Sequence, residues 1–271
     1  MRHKVLRVLV LVFLLLSALL TGCAKHAPLD YGVFLGINGE EIDKLKGFSL
    51  VVIEPTEFQA DQIETLHDAG TKVYGYLNIG AIEEYRPYFE RFGNLTLDVY
   101  ENWEDERWVD VSSPEWQDFI VNELGKQALE LGMDGFFLDN ADVYYHYQSE
   151  EVFQGLVAIL KGLKTFGLPL ILNGGDFFVT RCLEEGIAAR LFDGVNQETV
   201  FTSIDFEHHT YGKQEPTETD YFKEYLAKVK AANLSVFLLE YAASPAVLKQ
   251  IEAYCRHNGF LWYNAKGLEL R

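Results

Sequence analysis

Basic side chains are scarce in this chain. Lysine and arginine number 23 against 41 aspartates and glutamates, and the formal net charge is −18 over 271 residues. Such a surface repels phosphate backbones and anionic headgroups, so no nucleic acid partner is expected; it suits a cationic ligand, although acidity taken alone more often serves solubility. Cysteine is also rare: three residues cannot make a disulfide framework. HExxH and HxxxH spacings are absent, and the adjacent His208-His209, with Asp205 and Glu207 nearby, cannot easily converge on one ion. No metal or other cofactor is therefore expected. The lack of a GxSxG elbow argues against a serine nucleophile, and the lack of a dinucleotide glycine signature argues against a nicotinamide or flavin fold.

Long apolar runs are missing except for one, Val8 to Leu20. Arg2, Lys4 and Arg7 precede it and Leu20-Thr21-Gly22-Cys23 follows. The run is too short to span a bilayer, and its flanks read as a secretory signal. Leu-Thr-Gly-Cys resembles the bacterial lipobox, which implies cleavage before Cys23 and acylation of its thiol. The expected organisation is a leader over 1–22, a tether over 23–29 and one folded domain over 30–271. The protein is expected at the cell envelope, exported and held to a membrane by lipid on Cys23, at the outer membrane if the host has one. Loss of the leader removes Arg2, Lys4 and Arg7 and no acids, taking the net charge from −18 to −21. Cys182 and Cys255 then remain, and both read as buried thiols on separate helices.

What the chain does have is regular alternation. Short apolar runs are expected as strands at Tyr31–Leu35, Ser49–Ile53, Lys72–Leu77, Gly135–Leu138, Leu168–Leu172, Phe192–Gln197, Ser235–Leu239 and Phe260–Tyr263. Helical patterns separate most of them, among them Phe58–Ala69, Ser113–Leu131, Glu150–Phe166, Asp176–Ala189, Asp220–Ala232 and Pro245–His257. Thr199 to Thr219 is polar and loop-like, long enough to suggest a binding loop. Eight evenly spaced units favour a single-domain (β/α)8 TIM barrel, an α/β fold, over an open doubly wound sheet.

Barrels keep their chemistry at the carboxyl ends of the strands. Strand four, Asp134-Gly135-Phe136-Phe137-Leu138-Asp139, and strand six, Asp193-Gly194-Val195-Asn196-Gln197-Glu198, each enter through Asp-Gly and each reach an acid five residues after that aspartate. A side-chain period of two gives Asp139 and Glu198 one height and one facing. Strands four and six are alternate strands of a barrel, roughly 9 Å apart, so inward carboxyls fall within the range of glycosidase pairs. Other strand ends add Glu54, Asn78, Asn173 and Glu240 as a polar rim, with Asn140 next to Asp139. Tyr76, Tyr85, Trp103, Trp108, Tyr144, Tyr145 and Trp262 offer flat faces for sugar rings or cations.

At these residues the chain resembles glycoside hydrolase family 114, the endo-α-1,4-polygalactosaminidases. The matching pieces are Tyr76-Leu77-Asn78-Ile79-Gly80, Glu83-Glu84-Tyr85-Arg86, Trp108-Val109-Asp110-Val111, Asp134 to Asn140 and Gly194 to Glu198, in the family's order. Gly80-Ala81-Ile82-Glu83 departs from the family's frequent Gly-Glu-Ala-Glu. The resemblance implies a TIM barrel that hydrolyses galactosamine-rich polysaccharide, with its paired acids at Asp139 and Glu198. The expected site is then Asp139 and Glu198 as catalytic acids, with Glu54, Tyr76, Asn78, Asn140, Asn173, Glu240 and Trp262 as substrate contacts. A non-catalytic polysaccharide-binding lipoprotein, or a barrel hydrolase for another glycan, remains the alternative.

Overall fold

A computed structural model describes residues 30–271. The expected leader, the tether and Cys23 lie outside the described residues.

Eight strands form one parallel sheet: β1 (Tyr31–Phe34), β2 (Leu50–Ile53), β3 (Lys72–Asn78), β4 (Gly135–Asp139), β5 (Leu170–Asn173), β6 (Gly194–Glu198), β7 (Ser235–Tyr241) and β8 (Leu261–Ala265). Each pairs with the next in sequence, and β1 comes to lie beside β8. At that seam Gly36 N donates to Leu270 O at 3.2 Å. The fold is a (β/α)8 barrel, as the alternation of strand and helix patterns anticipates.

Side-chain phase divides the apolar residues into two layers. Tyr31, Val33, Val52, Tyr74, Phe137, Ile171, Phe237 and Leu239 fill the barrel interior. Their neighbours one residue away, such as Val51, Val73, Phe136, Leu138, Leu172, Val195 and Leu238, face the helical layer. A strand residue belongs to one layer or the other by parity alone. That parity decides the fate of every polar residue at a strand end.

Helix ends follow local chemistry. Ser149 Oγ accepts from Val152 N and caps the helix Glu150–Lys164, whose Phe153, Leu156, Leu160 and Leu163 are buried. Ser244 caps Pro245–Asn258 in the same way, with proline in the first turn and Gly259 in the left-handed region at the end. The long helix expected over Ser113–Leu131 is interrupted by a π-helical segment, Phe119–Gly125. Its wider turn offsets the helical phase, and consecutive Phe119 and Ile120 are both buried there. The expected helix Asp176–Ala189 stops at Glu184, because Gly186 takes a φ of 66° before a short helix Ala188–Leu191.

Two excursions rise from the carboxyl end of the barrel. After β3, the strands Ala81–Glu83, Thr96–Val99 and Glu106–Val109 make a small antiparallel sheet. After β6, the stretch expected as loop carries a hairpin, Thr202–Asp205 against Thr210–Lys213. Cys182 and Cys255 are buried free thiols. Among the described residues no helix is long and apolar enough to cross a membrane.

Candidate active site

A cleft of about 840 Å³ opens at the carboxyl ends of the strands, between the two excursions. Asp139 ends β4 and Glu198 ends β6, both in the inward phase, and both line the cleft. Between them stands Asn173, the last residue of β5. Its Nδ2 donates to Asp139 Oδ1 at 2.9 Å and to Glu198 Oε1 at 2.8 Å, so one amide bridges the two carboxylates.

Each acid has further donors of its own. Asp139 also accepts from Tyr76 Oη at 2.9 Å and from Asn140 N at 3.0 Å. Glu198 accepts from Tyr241 Oη at 2.6 Å. Burial pushes both carboxyls above the usual carboxylate range, and their donors pull them back. For Glu198 the negative charge of Asp139 adds to the upward push. The pair is thus asymmetric: Asp139 has three donors and Glu198 has two. Both tyrosine hydroxyls stay protonated, because burial and the adjoining carboxylates raise them well above 10.

Asn140 turns the chain away from the strand with a φ of 65°, a conformation asparagine tolerates. Its Nδ2 donates to Asn78 Oδ1 at 3.1 Å and to Glu106 Oε1 at 2.8 Å, and Asn78 Nδ2 reaches the same Glu106 oxygen at 2.7 Å. Gly80 lets this turn approach: a Cβ on it would stand 1.8 Å from Asn140 O. Burial first, then the charges of Glu83 and Asp139, raise Glu106 to about 8. Asp142 is raised to about 7 by burial and by Asp139, although Gly175 N donates to it at 3.0 Å. Arg86 sits between Glu54, at 2.9 Å, and Glu83, at 3.1 Å.

The residues expected at the site from sequence separate cleanly. Asp139, Glu198, Asn173, Asn140, Tyr76 and Glu54 all line the cleft. Asn78 does not; it braces Asn140 and Glu106 and borders a smaller side pocket of about 220 Å³. Glu240 is a correction. It follows inward Leu239 on β7 and so takes the outward phase, is fully buried, and accepts from Phe201 N, Thr202 N and Thr202 Oγ1 to tie down the post-β6 hairpin. Trp262 is a second correction, because it pairs with outward Leu238 and packs in the helical layer, away from the cleft. Among the other aromatics, Tyr85 and Trp103 line the cleft, whereas Trp108 and Tyr144 pack in the core and Tyr145 lies outside it.

Tyr31, Glu106, Asn196 and Tyr241 have direct or single-step contact with the pair or its braces and were not among the expected site residues, although Asn196 lies in the stretch Gly194 to Glu198. Tyr31 and Asn196 could have been found by the parity that assigned Glu198, since each is a polar residue in the inward phase. Among the described residues no group of histidine, cysteine and acidic side chains is arranged to hold a metal ion.

Known proteins agree with this architecture. The glycoside hydrolase domain of PelA from Pseudomonas aeruginosa superposes with a TM-score of 0.75 at 18% identity, over 90% of this chain and 96% of that one. Ega3 of Aspergillus fumigatus, solved in complex with galactosamine, gives a TM-score of 0.69 at 16% identity, over 90% and 93%. An uncharacterised protein of Deinococcus radiodurans is 25% identical over 237 residues, 80% of this chain and 72% of its own length. Residues 24–267 match the sequence model of glycoside-hydrolase family GH114, and the chain belongs to that family.

Proposed function

We propose that the protein is an exported, lipid-anchored enzyme that cuts a galactosamine-rich polysaccharide internally, using Asp139 and Glu198 as paired acids. The observation that carries this reading is the bridged pair. Contacts of 2.9 and 2.8 Å to one nitrogen hold Asp139 Oδ1 and Glu198 Oε1 no more than about 5.7 Å apart. With roughly 120° between the two N–H directions these two oxygens stand about 5 Å apart, which favours the close carboxyl pair of retaining glycosidases.

Asp139, with three donors, is the carboxylate held ready as nucleophile. Its oxygen forms a bond to the anomeric carbon as the glycosidic C–O bond breaks. Glu198, pushed up by burial and by its neighbour's charge, is the acid whose proton goes to the departing oxygen. As carboxylate it then takes a proton from water, which attacks the anomeric carbon and frees Asp139.

The cleft lining supports a cationic substrate. It contains nine carboxylate side chains and two arginines, with no lysine or histidine. One arginine, Arg86, is neutralised by Glu54 and Glu83. Protonated amino sugars would supply the missing positive charge, and the galactosamine held by Ega3 is consistent with that chemistry. Tyr85 and Trp103, both exposed and both lining the cleft, offer ring faces for sugars along the chain.

The test is incubation with de-N-acetylated galactosaminoglycan, following reducing ends and product length. Internal cleavage is expected from wild type and at least a 1,000-fold loss (on the order of the loss when such a group is removed) from Asp139→Asn and Glu198→Gln. Undiminished cleavage by either variant would refute the assignment. For the anchor, Cys23→Ser should move the protein from the membrane to the soluble fraction.

A further inference from the structure

Asn173 holds both acids through one nitrogen, yet an amide has two ends of nearly equal size. Turned over, it would aim Oδ1 at the ionised Asp139, which can only accept, and lose that hydrogen bond. Something must hold the amide the right way round.

Behind Asn173 the barrel interior contains a second polar link. Asn196 Nδ2 donates to Asn173 Oδ1 at 2.6 Å, and Tyr31 Oη donates to Asn196 Oδ1 at 3.1 Å. Asn196 and Tyr31 are 0% and 3% exposed and lie beneath the cleft floor, whereas Asn173, at 7%, reaches the cleft itself. Asn196 is the inward residue of β6 two places before Glu198, and Tyr31 opens β1 on the far side of the interior. We infer that Tyr31 and Asn196 are positioning residues that fix the orientation of the Asn173 amide and thereby set the protonation of Asp139 and Glu198. The inference rests on the reading of those two acids as the reacting pair.

The direction of the chain is set at its acid end. At the acid end the ionised Asp139 accepts only, so Asn173 turns Nδ2 to it and Oδ1 to Asn196. At the other end Tyr31, a phenol kept protonated by burial, donates to the Asn196 oxygen that this order turns towards it. Every hydrogen bond between them then runs one way, Tyr31 to Asn196 to Asn173 to the acids. In an apolar interior that order is worth far more than in water, because a reversed member leaves buried groups unpaired. The arrangement also gives a reason for two buried amides, Asn173 and Asn196, among the leucines, phenylalanines and isoleucines of the interior.

Other charged and titratable groups face the pair and stay unchanged when Asn196 is replaced. Tyr76, Glu83, Glu106, Asp142 and Tyr100 surround Asp139, and Tyr241 and Tyr31 face Glu198. A shift on altering Asn196 therefore reports its own link.

The experiment is a carboxyl ¹³C NMR titration of Asp139 and Glu198 in the folded protein, which needs no turnover. Asn196→Leu keeps the branched shape and adds no charge; Tyr31→Phe is milder, and the double variant leaves no orphaned phenol. Freed to turn, Asn173 no longer favours the ionised acids, so both midpoints should rise by about one pH unit in Asn196→Leu and in the double variant. Tyr31→Phe should give a smaller rise of the same sign. On the polymer, both limbs of the kcat–pH profile should move up by about one unit, so kcat falls roughly 10-fold on the acid limb, with KM within about twofold. Wild-type midpoints in folded Asn196→Leu, or in the double variant, would overturn the inference; if neither folds, unshifted midpoints in Tyr31→Phe would do so. A wild type that cleaves nothing would refute the proposed function while the titration still decides the link.

Discussion

Replacing Glu106 by glutamine should make the protein more stable at alkaline pH and leave it unchanged at acid pH. Glu106 Oε1 accepts from Asn78 and Asn140, and glutamine can present an oxygen to both, so the brace survives. Only the charge is lost. That charge is disfavoured in the fold, where burial, Glu83 and Asp139 raise the carboxyl from 4.5 to about 8. A raised carboxyl lets the folded state hold a proton that the unfolded chain gives up. Its stabilising effect is complete below about pH 4.5 and is lost as pH rises through about 8. The shift of about 3.5 units sets a ceiling of about 5 kcal/mol on the cost of the charge above pH 8. Relaxation and water entering the open cleft reduce it; if half remains, Tm differs by roughly 5–10 °C for a domain of this size. Thermal melts of both proteins at pH 4.5, 7 and 9 provide the assay. Coincident melts at pH 4.5 and a widening gain for Glu106→Gln towards pH 9 are expected. Equal melts at pH 9, or a less stable variant there, would refute the argument that these acids repel one another.

Three further outcomes follow from the same geometry. Tyr241→Phe removes the 2.6 Å donor to Glu198, so the alkaline limb of the pH–rate profile should move up by about one unit, measured on the polymer from pH 4 to 9. Gly80→Ala would drive a Cβ against Asn140 O, and should displace Asn140 and cost about 2 kcal/mol or more in urea unfolding, with a matching loss of activity. An uncharged or fully N-acetylated polymer should bind more weakly than the de-N-acetylated form, and the difference should shrink between 50 mM and 500 mM salt; salt-independent affinity would contradict electrostatic attraction by the cleft.

Much of this protein is legible without a structure. Alternating strand and helix patterns determine the barrel, because a parallel sheet requires crossovers and eight of them close. Equal spacing after two Asp-Gly turns determines that Asp139 and Glu198 share a height and a facing, because strand side chains alternate strictly. The leader, the tether and the Cys23 anchor are expectations of the sequence alone, outside the described residues. Tertiary structure decided the rest. Parity counted from the observed register turned Glu240 towards the hairpin backbone and Trp262 towards the helices, and errors of a single residue in a strand boundary suffice to hide this. Glu106 and the groove-side tryptophan Trp103 come from an excursion whose pairing is antiparallel and local, with nothing in its sequence to say which edge would face the acids. Above all, the amide that bridges the pair depends on Asn173, Asn196 and Tyr31 meeting across the barrel interior. Their separations along the chain, 23 and 165 residues, are closed only when β1 reaches the far wall. Sequence determined which acids could face each other; the fold determined what holds them apart, and at what distance.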